Sequence, residues 1–162
     1  MHILIIGAAG MIGRKLSRAL AAAGTVNGRA IQRMTLADIV VPETLDFGGE
    51  IHYRIQGEHH NWNPDTIYKL QHATKNNDPK TFAEFSQLVN DLSRPGAASA
   101  LIASRPDLIF HFAAVVSGEA EADFEKGYSV NLDGTRALFE AIRLAGLERP
   151  YAPRVVFTSS IV

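Results

Sequence analysis

Short apolar runs alternate with amphipathic stretches along the chain, and this alternation predicts a parallel α/β sheet. His2–Ile6 is a continuous apolar run, which is typical of a parallel strand that is buried on both faces. Apolar residues then recur at helical spacing as far as Ala23, where Gly24 is a suitable helix stop. Residues 35–41 predict the next strand, so the chain opens as strand, helix, strand.

The same rhythm returns in the second half of the chain. Residues 95–104 predict a short alanine-rich helix, and residues 107–114 predict a buried strand. A long helix is expected within residues 120–147, and residues 154–159 predict a further strand.

Residues 48–90 interrupt this rhythm with a polar, histidine-rich composition. Residues 51–55 alternate and favour β-structure, so they could supply a third strand. Asn63-Pro64 has the form of a helix start, and residues 82–89 predict a second amphipathic helix. We expect a solvated polar segment and no metal site, because no acid completes a zinc-binding motif with the histidines, which are His52, His59, His60 and His72.

Composition and charge exclude several classes of function. The chain has 162 residues, of which 46% are hydrophobic, and this is enough for one compact domain. A net charge of −1 argues against nucleic-acid binding. The absence of cysteine excludes disulfides and thiolate chemistry and fits a reducing cytoplasm. No apolar run is long enough to span a membrane, and no signal peptide precedes the first strand.

A glycine-rich turn separates the first strand from the first helix. It reads Gly7-Ala8-Ala9-Gly10-Met11-Ile12-Gly13, in which the first glycine permits the turn, the second admits a pyrophosphate and the third allows close packing. The free N–H groups of the helix start favour an anion, so the turn predicts a dinucleotide site. The alternative is a plain tight turn without a ligand.

Asp38 lies at the end of the predicted second strand, where a carboxylate can accept both ribose hydroxyls of an adenosine. It would repel a 2′-phosphate, and it therefore predicts NAD rather than NADP as the cofactor. The alternative is an aspartate that only serves the turn.

These motifs together resemble the extended short-chain dehydrogenase/reductases, also called the NAD-dependent epimerase/dehydratase family. The resemblance implies a Rossmann-type parallel sheet, partial here with about four to five strands, and a mostly helical insert. It implies cofactor contacts by Asp91-Leu92, by the backbone of Ala113-Ala114 within His111–Ala114, and by Asn131 of the Val130–Thr135 motif, which braces the active site. Ser160, after the last strand, matches the family's active-site Ser or Thr.

Residues 115–124 resemble the D-erythronate dehydrogenase branch of that family more closely. Members of the branch oxidise the C2 hydroxyl of a four-carbon sugar acid and pass hydride to NAD. The resemblance implies that Ser117 and Gly118 border the nicotinamide and the substrate, although Ser117 could equally be an ordinary loop hydroxyl.

The chain departs from the family in its chemistry. The family uses a Tyr whose pKa is lowered by a Lys four residues later. No such pair occurs here, because the residues that follow the four tyrosines at that spacing are Gly57, His72, Leu132 and Val155. We therefore expect residues 1–162 to form a single incomplete NAD-binding domain without turnover of its own. A non-catalytic NAD(P)-binding module and a defective fragment are the alternatives, and an uncovered sheet edge could support homo-oligomers.

The second departure is the stretch 48–90, which resembles a segment of glutamate synthase large subunits. We interpret it as an insert foreign to the domain, which would make the chain a chimera. It would not bring the activity of glutamate synthases, which use a cysteine nucleophile and an iron–sulfur cluster, because the chain has no cysteine.

Overall fold

The computed structural model describes residues 1–39, 42–43, 45–55, 92 and 94–159. Its strands are β1 (His2–Ile6), β2 (Thr25–Val26), β3 (Arg29–Ala30), β4 (Arg33–Asp38), β5 (Glu50–Ile55), β6 (Leu108–His111) and β7 (Arg154–Phe157). Its helices are α1 (Met11–Ala23), α2 (Ala97–Ile102), α3 (Ser117–Ala122), α4 (Phe124–Tyr128), a π-helix (Ser129–Gly134) and α5 (Thr135–Glu148).

Five strands form one parallel sheet in the order β5-β4-β1-β6-β7. This order places the first strand at the centre. The chain adds β4 and β5 on one side of β1 and then β6 and β7 on the other side, as in a Rossmann sheet. The predicted fold class is therefore confirmed. The third strand offered by residues 51–55 is also confirmed, since Glu50–Ile55 pairs along β4.

The apolar run of β1 is buried on both faces because helices cover the two sides of the sheet. On one side Ile3 and Ile5 pack with Leu20 of α1. On the other side Leu4 and Ile6 pack with residues from α2, β6 and α5, which include Leu101, Ile109 and Leu138. Successive side chains of a strand point to opposite faces of the sheet, so a strand that is covered on both faces requires apolar residues at consecutive positions.

Several predicted boundaries need correction. The second strand spans Arg33–Asp38 rather than 35–41, because its pairing begins at His2 opposite Arg33. The predicted helix 95–104 shortens to Ala97–Ile102. The strand predicted at 107–114 ends at His111, where the chain turns over the glycine-rich loop. The last strand ends at Phe157 rather than at residue 159.

The long helix expected within residues 120–147 is confirmed as α5 (Thr135–Glu148), whereas the residues before it form α3, α4 and a π-helix. Asp123 interrupts this first part, because its carboxylate accepts the N–H of Lys126 at 3.0 Å and starts a new helix there. The β2–β3 hairpin was not expected from the sequence, and its Asn27-Gly28 turn has positive φ at both residues.

Two groups of predictions fall outside the described residues. They are the two helices of the 48–90 stretch and the predicted site residues Asp91 and Ser160. Within that stretch the backbone of β5 belongs to the parallel sheet. The foreign origin of the stretch stays a prediction.

Candidate functional site

The carboxyl ends of β1, β4 and β6 open into one cleft, which we call the switch-point cleft. Its volume is about 500 Å³, within the range of small-molecule sites. The described residues that line it are Ile6, Gly7, Ala9, Gly10, Asp38, Ile39, Leu92, Phe112, Ala113, Ala114, Val115, Glu119, Lys126 and Val130.

The glycine-rich turn forms the floor of this cleft, and two of its glycines cannot be replaced without a clash. Gly7 has φ of +87°, and a Cβ there would lie 2.7 Å from the Ala113 nitrogen. A Cβ on Gly13 would collide with the Gly7 carbonyl oxygen and lie 2.7 Å from the Ala8 Cα. The turn therefore packs directly beneath the loop that follows β6.

The start of α1 presents backbone donors to the cleft. Gly10 is the N-cap residue, it makes no side-chain cap bond, and the first turn of α1 has no acidic residue. The N–H groups of Met11, Ile12 and Gly13 have no acceptor within the helix, as in any first helical turn. An anion bound here would meet these donors and the positive end of the helix dipole.

Asp38 ends β4 beside the same turn. Its Oδ2 accepts the N–H of Ala9 at 2.8 Å, so the carboxylate is fixed against the glycine-rich loop. The side chain is half-buried and lines the switch-point cleft. A carboxylate in this place can also accept hydroxyl donors of a sugar.

A hydrogen-bond network holds the opposite wall of the cleft. The Asn131 side chain accepts the N–H of Val115 at 2.8 Å and donates to the Val115 carbonyl oxygen at 3.0 Å. The Asn131 carbonyl in turn accepts the Thr135 hydroxyl at 2.8 Å. Asn131 thus acts through the loop at 113–115 and does not itself line the cleft, which supports the bracing role expected of it.

Buried His111 extends this network into the core. Its Nε2 lies 2.9 Å from Thr135 Oγ1, and the Thr135 hydroxyl hydrogen is already donated to Asn131. A hydroxyl that donates to Asn131 accepts from Nε2, and Nδ1 has no hydrogen-bond partner among the described residues. Burial lowers the pKa of His111 to about 4, because the charged imidazolium would lose its hydration. The imidazole is thus neutral at pH 7.

The structure does not bring every predicted site residue to the cleft. Gly7, Gly10, Asp38, Leu92, Ala113 and Ala114 line it together, as the sequence motifs suggest. Ser117 instead lines a separate apolar groove of about 350 Å³ beside α3, α4 and the π-helix, and Gly118 borders neither space. Glu119 and Lys126 also line the cleft, although no motif in the sequence marks them as site residues.

Tyr151 has the opposite of the environment that the family's catalytic tyrosine requires. Its hydroxyl donates to the Pro106 carbonyl at 2.9 Å, and burial raises its pKa to about 12. Arg105 stacks over the ring at 4.4 Å from its centroid. These contacts make Tyr151 a packing residue.

None of the helices in the described part of the chain is long and apolar enough to cross a bilayer.

Known proteins resemble the chain along almost its whole length. D-erythronate dehydrogenase of Cupriavidus necator is 37% identical over 165 aligned residues, which cover 99% of this chain and 39% of that protein. D-erythronate dehydrogenase of Haemophilus influenzae is 27% identical over 161 residues, covering 99% and 38%. The chain therefore spans less than two fifths of the length of these relatives.

Solved structures share the fold. A nucleoside-diphosphate-sugar epimerase from Agrobacterium tumefaciens is 45% identical, with a TM-score of 0.74 over 99% of this chain and 37% of that one. A short-chain dehydrogenase/reductase superfamily protein of Agrobacterium tumefaciens, solved with bound NAD, is 25% identical, with a TM-score of 0.54 over 99% and 33%. Residues 3–161 match the sequence pattern described as the NAD dependent epimerase/dehydratase family, and the chain therefore belongs to that family.

Proposed function

We propose that this chain is the NAD-binding part of an oxidoreductase that acts on a sugar acid such as D-erythronate. The proposal rests on one observation: a glycine-rich turn, a helix start with unpaired backbone donors and a strand-end aspartate lie together in one cleft. The pyrophosphate of NAD would lie on the N–H groups of α1, and the adenosine ribose of NAD would contact Asp38.

The residues present fit a dinucleotide. A Cβ on Gly7 would clash with the backbone of Phe112 and Ala113, so the glycine-rich turn lies close against the loop after β6, which supports a close approach of a pyrophosphate to this turn. Three exposed apolar side chains stand beside the cleft, namely Met11, Ile12 and Ile39, and a flat ring or ribose would cover such surface. When bound, NAD would supply the hydride acceptor.

The substrate class rests on the relatives, both of which are named D-erythronate dehydrogenases. In the proposed reaction C2 of the sugar acid would lose its hydride to NAD, while the C2 hydroxyl would give its proton to a general base, so that a 2-keto acid forms. We keep Ser117 and Gly118 as substrate-side residues and Ser160 as the active-site hydroxyl in this proposal. Asp91 remains a proposed adenine contact.

Isothermal titration calorimetry with NAD and NADP tests the cofactor assignment. We expect NAD to bind with a dissociation constant below about 1 mM and NADP to bind more weakly. Absence of NAD binding at that level would remove the basis of the proposal.

A second candidate is a non-catalytic NAD(P)-binding module. Both candidates predict that this chain binds NAD without oxidising D-erythronate. Reduction of NAD by the 162-residue chain with D-erythronate would contradict the expectation that the missing Tyr–Lys pair prevents turnover.

A further inference from the structure

The switch-point cleft contains only one basic side chain among its described lining residues. Its ionisable groups are Asp38, Glu119 and Lys126, so two carboxylates face one ammonium. Lys126 is also the only basic residue in residues 117–128, which contain four acids. A pyrophosphate with about two negative charges would meet an unfavourable field here without that ammonium.

Two short helices bring the charged pair together. Glu119 lies in the first turn of α3, and Lys126 lies in α4. The Lys126 Nζ is 2.5 Å from Glu119 Oε1. The helices pack closely, because a Cβ on Gly127 would lie 2.9 Å from the Ala120 Cβ. The Asp123 cap on the Lys126 N–H fixes the backbone from which the lysine extends.

The Lys126–Glu119 ion pair can exchange Glu119 for another anion more readily than it can stabilise the fold. The side chains of Lys126 and Glu119 are 49% and 53% exposed. Pairs at such exposure contribute little to the free energy of unfolding, so the lysine can change partner at low cost. The pyrophosphate of a dinucleotide carries about two negative charges against the single charge of Glu119, so the ammonium meets a stronger attractive field when it changes partner.

We propose that Lys126 binds the pyrophosphate of the cofactor and that Glu119 holds its ammonium until the nucleotide arrives. Lys126 and the start of α1 then contact the phosphates from opposite walls of the cleft. Glu119 lowers the affinity for nucleotide, because it competes for the same ammonium and repels the phosphates. This inference rests on the proposed NAD-binding function.

Substituting Lys126→Met tests the phosphate contact, since methionine keeps the apolar stem and loses the charge. We expect the dissociation constants of NAD and ADP to rise about tenfold. Adenosine, which has no phosphate, should bind the variant as it binds the wild type in an NMR titration. Lys126→Arg should retain most of the affinity for NAD and ADP.

Substituting Glu119→Gln tests the competition. We expect the dissociation constants of NAD and ADP to fall about threefold, because the variant loses the negative charge that competes for the ammonium and repels the phosphates. The opposite result, weaker binding in Glu119→Gln, would overturn the competition between Glu119 and the phosphates.

The Glu140–Arg143 pair on α5 is a matched control, with N–O distance 2.7 Å and similar exposure, and it does not line the cleft. Arg143→Met and Glu140→Gln should leave the affinity for NAD unchanged. If the wild type binds NAD and ADP but Lys126→Met binds them equally well, this inference is wrong and the proposed function stands. The same holds if Lys126→Met binds adenosine more weakly than the wild type does, and by as large a factor as for ADP. If the wild type binds neither, the proposed function fails as well.

Discussion

At the scale of single residues, Asp38→Asn separates the charge of Asp38 from its hydrogen bond to Ala9. The amide oxygen can still accept the Ala9 N–H, so the turn should persist, but the neutral side chain no longer repels a 2′-phosphate. We expect the preference for NAD over NADP to fall about tenfold, measured as the ratio of calorimetric dissociation constants. Asp133→Asn, at an exposed helical aspartate paired with Arg136, should not change that ratio. An unaltered preference in Asp38→Asn would refute the ribose assignment.

The sequence motifs predicted which residues meet in the cleft better than the contacts that these residues make. Gly7, Gly10 and Asp38 line the cleft as expected, because backbone geometry and strand-end position follow from local sequence. Asn131 was expected to serve the site, but its two bonds to Val115 depend on the π-helix before α5. The contact between Lys126 and Glu119 could not be predicted, since it requires the break at Asp123 that a helical pattern does not reveal.

His111 should make the stability of the chain depend on pH. Its pKa falls from 6.5 to about 4 on folding, so the unfolded chain binds more protons between these values. The stabilisation is therefore complete above pH 6.5 and is lost as the pH falls toward 4. We expect the free energy of unfolding to drop by about 2 kcal/mol more in the wild type than in His111→Gln between pH 7 and pH 5.

Urea denaturation at a series of pH values measures this difference. Groups other than His111 titrate in both proteins and cancel in the comparison. Parallel stability curves for the wild type and His111→Gln would contradict the assignment of a buried neutral imidazole.

At the scale of elements, strands were predicted more reliably than helices. All five strands of the main sheet were anticipated, β5 from its alternating pattern and the other four because buried strands appear as compact apolar runs. The long helix after β6 was anticipated, but the Asp123 cap and the π-helix before it were not. A π-turn is a short local change within a helical stretch, and a periodicity counted over many residues does not resolve it.

The junction of β1 with α1 should tolerate no side chain at Gly13. In Gly13→Ala the new Cβ would collide with the Gly7 carbonyl and the Ala8 backbone, which belong to a buried turn. We expect the free energy of unfolding to fall by about 3 kcal/mol in urea denaturation. Gly118→Ala is the control: it is helical, nothing lies within 4 Å of its Cβ, and a gain of up to about 1 kcal/mol is expected. Equal stability of the two variants would show that the turn can relax.

At the scale of the whole molecule, the order of the strands was predictable in outline, but the surroundings of the sheet were not. Strand–helix–strand units cross over in one hand, and the Rossmann strand order places the first strand at the centre because β6 is added on the side of β1 opposite to β4. Among the described residues β7 pairs only with β6, and its Val156 and Phe157 are 43% and 48% exposed. The covering of a sheet edge is set by long-range contacts, which local sequence patterns do not encode.

We predict that the isolated chain self-associates through the exposed edge of β7. An exposed strand with apolar side chains can pair with a second copy. We expect sedimentation velocity to show association that increases with concentration up to about 100 μM, and Val156→Lys to reduce it. Ser99→Lys adds the same charge at an exposed position on α2 and should leave association unchanged. A monomer throughout that range would contradict the prediction.

The bond between Asp38 and the Ala9 N–H has a consequence for the entropy of ligand binding. A free aspartate side chain must give up its rotational freedom when a ligand engages it, at about 0.5–1.5 kcal/mol for a rotamer-rich side chain. Here folding has already restricted the Asp38 rotamer, because its Oδ2 accepts the Ala9 N–H at 2.8 Å. A ribose that reaches this carboxylate finds an acceptor that is already oriented, so less ordering remains to oppose its binding.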